Sequence, residues 1–74
     1  MNSKKYKIMA RKKYTLIGVD GNAYSVMGYV TKAMRMENFS KQEIDNYLKD
    51  ATSDDYSHLL RVSVEMIDKC NSKK

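Results

Sequence analysis

The stretch MENFSKQEI (residues 36–44) decides the helical part of this 74-residue chain, because it ends one helix and begins another. Residues 37–39 interrupt a helical pattern of apolar side chains. Ser40 and Glu43 then have the spacing of a capping box, in which each side chain accepts a hydrogen bond from the backbone N–H of the other residue. The stretch therefore predicts a loop between two helices, with the second helix starting just after Ser40.

On both sides of this loop, apolar residues recur at three- and four-residue spacing, which is typical of amphipathic helices. Asp20 or Asn22 is suited to cap the first helix, and Thr52 or Ser53 is suited to cap the third. The predicted buried stripes are Ala23, Val26, Met27, Val30, Ala33 and Met34 on the first helix, Ile44, Tyr47, Leu48 and Ala51 on the second, and Tyr56, Leu59, Leu60, Met66, Ile67 and Cys70 on the third.

The segment before the first helix has the composition of a strand. Residues 14–19 (YTLIGV) are rich in aromatic and β-branched side chains and are followed by Asp20-Gly21, a turn signal. They predict a short strand, either alone or paired with residues 5–10 in a hairpin. The predicted fold class is therefore α+β: a short N-terminal strand or β-hairpin followed by three amphipathic α-helices.

Charge is distributed unevenly along the chain. The net charge is +5, yet residues 1–13 carry six cations and no acid, whereas residues 14–69 contain all nine acids. We expect a basic, partly flexible arm at residues 1–13, a single small domain at 14–70 and a basic tail at 71–74. Basic arms commonly bind nucleic acid, and the alternative is an arm that only increases solubility. The candidate nucleic-acid or anion ligands are Lys4, Lys5, Lys7, Arg11, Lys12 and Lys13.

The residue types present argue against several classes of protein. One cysteine and one histidine supply neither an intramolecular disulfide nor the ligands of a structural zinc site. The acidic residues lack the spacing of a calcium loop. No apolar run approaches the roughly eighteen residues of a membrane span, and the N-terminus lacks the apolar core of a secretion signal. We therefore expect a cytoplasmic protein without a metal, a cofactor or a membrane contact.

The lone histidine and the lone cysteine do not form a catalytic pair in one chain. His58 and Cys70 lie on the same predicted helix, 12 residues apart, which is roughly 18 Å along its axis, whereas a nucleophile and its base must be about 3 Å apart. Cys70 shares the apolar stripe and is interpreted as a small buried side chain. His58 falls on the opposite face with Arg61 and Glu65, a pattern typical of a solvated helix surface. We expect no catalytic residues.

One face of the first helix is the candidate partner-binding site. Opposite its apolar stripe lie Tyr24, Gly28, Lys32 and Arg35, and Tyr and Arg are enriched at recognition hot spots. A glycine inside a helix costs about 1 kcal/mol relative to alanine. Gly28 is explained either by close packing of the hairpin or third helix, or by a partner or second copy that approaches the backbone there.

The apolar core is small for the number of residues that it must order, and a lone two-stranded ribbon leaves unpaired edges. Both features favour a homodimer, in which a second copy covers apolar surface and strand edges.

Three local resemblances add expectations. The glycine frame of residues 17–21 (IGVDG) resembles the nucleic-acid-binding loop of KH domains, although Asp20 stands where a cation would attract phosphate. The alternative is a turn whose glycines permit unusual backbone angles. Residues 36–44 are similar to the first loop and second-helix start of three-helix ubiquitin-associated domains, with Asn38 in place of the usual glycine, which bears on helix packing. Residues 16–30 resemble small uncharacterised proteins of bacterial phages and mobile elements.

Together these features predict a small, non-catalytic interaction or regulatory protein that binds a macromolecular partner, with a protein as the preferred partner. The phage resemblance implies a modulator of a host factor. The alternative is a nucleic-acid-binding accessory protein that uses its basic arm.

Overall fold

The computed structural model describes residues 13–72, which contain three α-helices and no strand. Helix α1 spans Ala23–Met36, α2 spans Lys41–Ala51 and α3 spans Tyr56–Ser72. The three helices are present as predicted, but the α+β fold class is wrong, because this part of the chain is entirely helical apart from its loops. The hairpin partner proposed at residues 5–10, most of the basic arm and the last two residues lie outside the described residues.

Helix α1 begins and ends with well-defined capping interactions. Asn22 is its N-cap, with the Ser25 backbone N–H donating to Asn22 Oδ1 at 2.8 Å, while Asp20 accepts a hydrogen bond from the Asn22 amide. At the other end Asn38 adopts a left-handed conformation with φ 66°. The N–H of Phe39 donates to the Met34 carbonyl and that of Asn38 to the Arg35 carbonyl, which together form a Schellman motif.

The capping box predicted for α2 is confirmed. Ser40 N–H donates to Glu43 Oε1 at 2.7 Å, and Glu43 N–H donates to Ser40 Oγ at 3.0 Å. The predicted caps of α3 are wrong, since Thr52 ends α2 and donates its hydroxyl to the Leu48 carbonyl. Asp55 caps α3 instead by accepting the His58 N–H at 3.0 Å.

All three pairs of helices pack against one another around one core. The predicted stripes supply most of it, and Tyr14, Val62 and Ser63 are buried in addition. Tyr56, for which the stripe of α3 predicts burial, is 43% exposed at the rim. The buried hydrophobic residues are Tyr14, Val26, Val30, Ala33, Met34, Ile44, Tyr47, Ala51, Leu59, Val62, Ile67 and Cys70. None of the helices in residues 13–72 has the length and apolar character needed to cross a lipid bilayer.

A hydrogen bond between two buried hydroxyls joins α2 to α3. Tyr47 and Ser63 are both almost fully buried, and their side-chain oxygens are 2.6 Å apart. Burial raises the pKa of the Tyr47 hydroxyl above its usual value, and the hydrogen bond with Ser63 offsets part of that rise. Each hydroxyl therefore supplies the hydrogen-bonding partner that the other would otherwise lack in the core.

The segment predicted as a strand is held by helix side chains instead of by another strand. The Tyr14 N–H donates to Asn71 Oδ1 at 2.8 Å, and Asn71 Nδ2 donates to the Tyr14 carbonyl at 3.0 Å. The next backbone N–H, that of Thr15, donates to the Tyr29 hydroxyl. Residues 16–19 then close into a turn, with Gly18 at φ +88°. Because these side chains satisfy its backbone, the apolar segment packs onto the helices without a sheet.

Candidate functional surface

The four residues predicted to bind a partner lie together on the solvent-exposed side of α1. Tyr24, Gly28, Lys32 and Arg35 are all exposed, and we call this set the α1 face. The Tyr24 side chain is 84% exposed, which is unusual for a large aromatic residue on a small domain. A regular helix places these positions on adjacent turns, so the α1 face is a continuous surface.

Gly28 has no packing role among residues 13–72. A Cβ atom built on it meets no heavy atom within 4 Å outside its chain neighbours and the backbone of its own helix. Neither α3 nor residues 13–22 approach the backbone there, so the interpretation that Gly28 accommodates α3 is not supported, and residues 5–10 of the predicted hairpin lie outside the described residues. The glycine thus leaves a flat site on an exposed helix, at a position where alanine would stabilise the helix by about 1 kcal/mol.

The C-terminal half of the α1 face is basic. Lys32 and Arg35 form no ion pair with any residue in the described part of the chain. Arg35 borders a shallow depression of about 470 Å³ that is lined by the apolar side chains of Phe39, Ile44 and Leu48 and by the charged side chains of Lys41 and Asp45. A guanidinium at the edge of this mixed surface suits a partner that carries a carboxylate next to an apolar side chain.

The N-terminal half of the α1 face is aromatic and borders acidic residues. Tyr24 shares a depression of about 310 Å³ with Met27, Asp54, Asp55 and Tyr56. The Tyr56 hydroxyl donates to the Gly21 carbonyl, which holds this ring beside the start of α1. The α1 face therefore runs from an acidic, aromatic end to a basic end.

The exposure of Tyr56 differs from the prediction. Its spacing matches the apolar stripe of α3 and therefore predicts a buried position. The signal that would have placed it at the rim is its hydroxyl group, since tyrosine prefers positions where the ring is covered and the hydroxyl reaches a polar partner.

A second exposed apolar area lies away from the α1 face. Ile17 is 89% exposed and Val64 is 51% exposed, and both border a depression of about 200 Å³ between residues 14–17 and α3. Ile17 was interpreted as part of the strand, which is why this exposure was not anticipated.

Of the six predicted arm ligands, only Lys13 lies within the described residues. Its ammonium group is 3.0 Å from Glu37 Oε2, and the Tyr14 hydroxyl donates to the same oxygen at 2.5 Å. The hydrogen bond with Glu37 raises the pKa of both Lys13 and Tyr14. Lys13 is therefore engaged with the helical body. Lys4, Lys5, Lys7, Arg11 and Lys12 lie outside the described residues.

His58 and Cys70 occupy separate environments on α3. His58 Nε2 is 3.0 Å from both the backbone oxygen and Oδ1 of Asp50, and its Nδ1 is 3.0 Å from Arg61 Nη2. The predicted contact of His58 with Arg61 on a polar helix surface is present, but the side chain is only 19% exposed, because the ring also links α3 to the end of α2. Cys70 is buried, as expected.

The described residues contain no group of three or more His, Cys, Asp or Glu side chains arranged to hold a metal ion. The KH-like loop at residues 17–21 is a turn that leads into the Asn22 cap, and no helix precedes it in residues 13–72. A KH domain places a helix before this loop. The alternative interpretation, a glycine-containing turn followed by a cap, matches the observed geometry.

Comparison with known proteins found no matching family model, no similar curated protein and no similar solved structure.

Proposed function

We propose that this protein is a non-catalytic binding module that recognises a protein partner through its α1 face. The observation that carries the proposal is the exposure of Tyr24 beside Gly28, whose backbone is open to solvent. A large aromatic side chain in water next to an uncovered glycine offers both an anchor and a place where another backbone can approach closely.

The chemistry of the α1 face defines the kind of partner surface that fits it. Tyr24 supplies apolar area and a hydroxyl group, whereas Lys32 and Arg35 carry charges that no described residue neutralises. A complementary partner presents carboxylates opposite these cations and an apolar pocket for the ring. Such charge complementarity contributes mainly to the association rate and to specificity, while the buried ring contributes most to affinity.

Differential affinity capture tests this proposal. The unmodified 74-residue chain, the double variant Tyr24→Ala/Arg35→Glu and the matched control Lys49→Glu are immobilised in parallel. Lys49 is an exposed cation on α2, outside the α1 face. We expect proteins that are retained by the wild type and by Lys49→Glu to be lost from the double variant. Identical profiles for all three proteins would contradict recognition of a partner other than a second copy of this chain.

A second candidate function rests on the cluster of cations at residues 1–13. If the arm binds duplex DNA through six phosphates, log K falls against log salt with a slope of about −5. Replacement of Lys4, Lys5, Lys7, Arg11 and Lys12 by glutamine should then remove most of that slope. Lys13 is retained in this test because it pairs with Glu37. Binding that depends neither on salt nor on these substitutions would eliminate this function.

A further inference from the structure

We propose that the partner of the α1 face is the α1 face of a second copy, packed antiparallel about a two-fold axis that passes beside Gly28. This inference rests on the proposed function, because it names the occupant of the same surface. It is carried by three properties of that surface: steric access at Gly28, the symmetric placement of residues around it, and the opposite charges of its two ends.

Steric access comes first. Apart from Gly28 itself, its two chain neighbours and the nearby backbone of its own helix, no heavy atom among residues 13–72 lies within 4 Å of a Cβ atom built on Gly28. Helices normally pack with their axes about 8–10 Å apart, at a distance set by the side chains at the crossing point. Glycine on both helices at that point permits an approach at the short end of this range, which a side chain there would prevent.

The positions around Gly28 are complementary under two-fold symmetry. Tyr24 and Lys32 lie four residues before and after it, which is about 6 Å along the axis in each direction. An antiparallel pairing about Gly28 therefore places Tyr24 of one copy opposite Lys32 of the other, and the reverse. A lysine ammonium over an exposed tyrosine ring is a favourable cation–π pair, and symmetry forms it twice.

The charges specify the direction of pairing. Asp54 and Asp55 share a depression with Tyr24 at the N-terminal end of the α1 face, and Asp20 precedes that end. Lys32 and Arg35 occupy the C-terminal half. An antiparallel pair brings the acidic end of each copy to the basic end of the other, whereas a parallel pair would bring like charges together. The helix dipoles also favour the antiparallel arrangement.

The first test separates association from folding. Gly28→Gln adds a side chain at the crossing point but improves the helix propensity of α1. In sedimentation equilibrium at micromolar concentration, we expect the wild type to be dimeric and Gly28→Gln to raise the dimer dissociation constant by at least about tenfold. Its thermal midpoint, measured where both proteins are monomeric, should equal or exceed that of the wild type. The control variant Lys49→Glu should remain dimeric.

A charge exchange tests whether the charged ends of the two α1 faces hold the copies together. Lys32→Glu/Arg35→Glu makes both ends of the face acidic, and Asp20→Lys/Asp54→Lys makes both ends basic, while the capping residue Asp55 stays unchanged. Each variant alone should be monomeric with wild-type helicity by circular dichroism. An equimolar mixture should form a heterodimer that weakens as salt is added.

The outcomes discriminate between this inference and the proposed function. A wild-type monomer overturns the inference, and if the capture experiment still shows proteins lost from Tyr24→Ala/Arg35→Glu, the proposed function stands. A dimer that none of these substitutions affects overturns the inference, because another surface then mediates the dimer. Recovery of the heterodimer from two monomeric variants supports the inference that opposite charges on the two α1 faces hold the copies together.

Discussion

At the scale of single residues, buried polar side chains in this small core are stabilised by hydrogen bonds to one another. Tyr47 and Ser63 are buried between α2 and α3 and satisfy each other's hydroxyl groups. No buried side-chain nitrogen or oxygen in residues 13–72 lacks a hydrogen-bond partner. A buried hydroxyl that loses its partner pays the cost of desolvation without the compensating bond.

We expect Ser63→Ala to lower the free energy of unfolding by about 1–3 kcal/mol, because it leaves the Tyr47 hydroxyl unpaired in the core. Tyr47→Phe should cost less, since the Ser63 hydroxyl can donate instead to a backbone carbonyl of its own helix. Denaturant unfolding of Ser63→Ala, of Tyr47→Phe and of the variant that combines both measures the coupling energy between the two hydroxyl groups. Tyr24→Phe, at an exposed ring, is the control. A double variant whose loss equals the sum of the single losses would contradict this prediction.

Asn38 is a second residue whose conformation determines a helix end. Its φ of 66° places it in the left-handed region, where a β-carbon is unfavourable. We expect Asn38→Ala to destabilise the protein by about 1 kcal/mol and Asn38→Gly to leave its stability equal or higher. Thermal unfolding of the two variants is the measurement. A more stable Asn38→Ala than Asn38→Gly would show that the left-handed conformation is not maintained in solution.

At the scale of elements, the segment before α1 depends on the last turn of α3. Asn71 accepts from the Tyr14 N–H and donates to the Tyr14 carbonyl, and thus provides the two hydrogen bonds that a neighbouring strand would make. Tyr14 itself is buried against the helices. One side chain near the C-terminal end of the described residues therefore positions a segment near their N-terminal end.

Asn71→Ala removes both of these bonds. We expect amide exchange of residues 14–19 to accelerate, while amides in the interiors of α1 and α2 exchange at rates closer to those of the wild type. The loss of global stability should be about 1–2 kcal/mol, as for two partly buried hydrogen bonds. Asn46→Ala, which removes only an exposed contact with Gln42, is the matched control. Equal amide exchange rates of residues 14–19 in the wild type and in Asn71→Ala would refute the prediction.

At the scale of the whole molecule, stability should decrease in alkaline solution. The folded state raises the pKa of Tyr47 through burial and the pKa values of Tyr14 and Lys13 through Glu37. A group whose pKa is higher in the folded protein than in the unfolded chain stabilises the folded state as long as it is protonated. This stabilisation is fully present at a pH below the pKa of the unfolded chain, and it is lost as the pH rises through the pKa of the folded protein. The usual values are 10.0 for tyrosine and 10.5 for lysine.

The thermal midpoint should therefore change little between about pH 8 and pH 9 and then fall above about pH 10. The decrease should be smaller in Tyr14→Phe, which removes one of the titrating hydroxyls. Absorbance of tyrosinate, recorded alongside, should show ionisation that accompanies unfolding. A midpoint that rises above pH 10 would contradict the direction of all three pKa shifts.

Local patterns account for the helices and for the exposed face of α1. The Ser40–Glu43 capping box, the Asn22 cap and the buried stripes depend on residues within a few positions of one another, so spacing alone predicts them. The exposure of Tyr24, Gly28, Lys32 and Arg35 follows from the same periodicity, because the opposite side of the helix is apolar.

Residue spacing is therefore enough to predict three helices, their order and the apolar side of each. The conformation of residues 14–19, the position of His58 against Asp50 and the location of Tyr56 beside Tyr24 follow instead from how the helices pack. Each of these depends on partners distant in the chain. An apolar extended segment becomes a strand only if another strand satisfies its backbone, and here Asn71 and Tyr29 on α3 and α1 supply those hydrogen bonds instead.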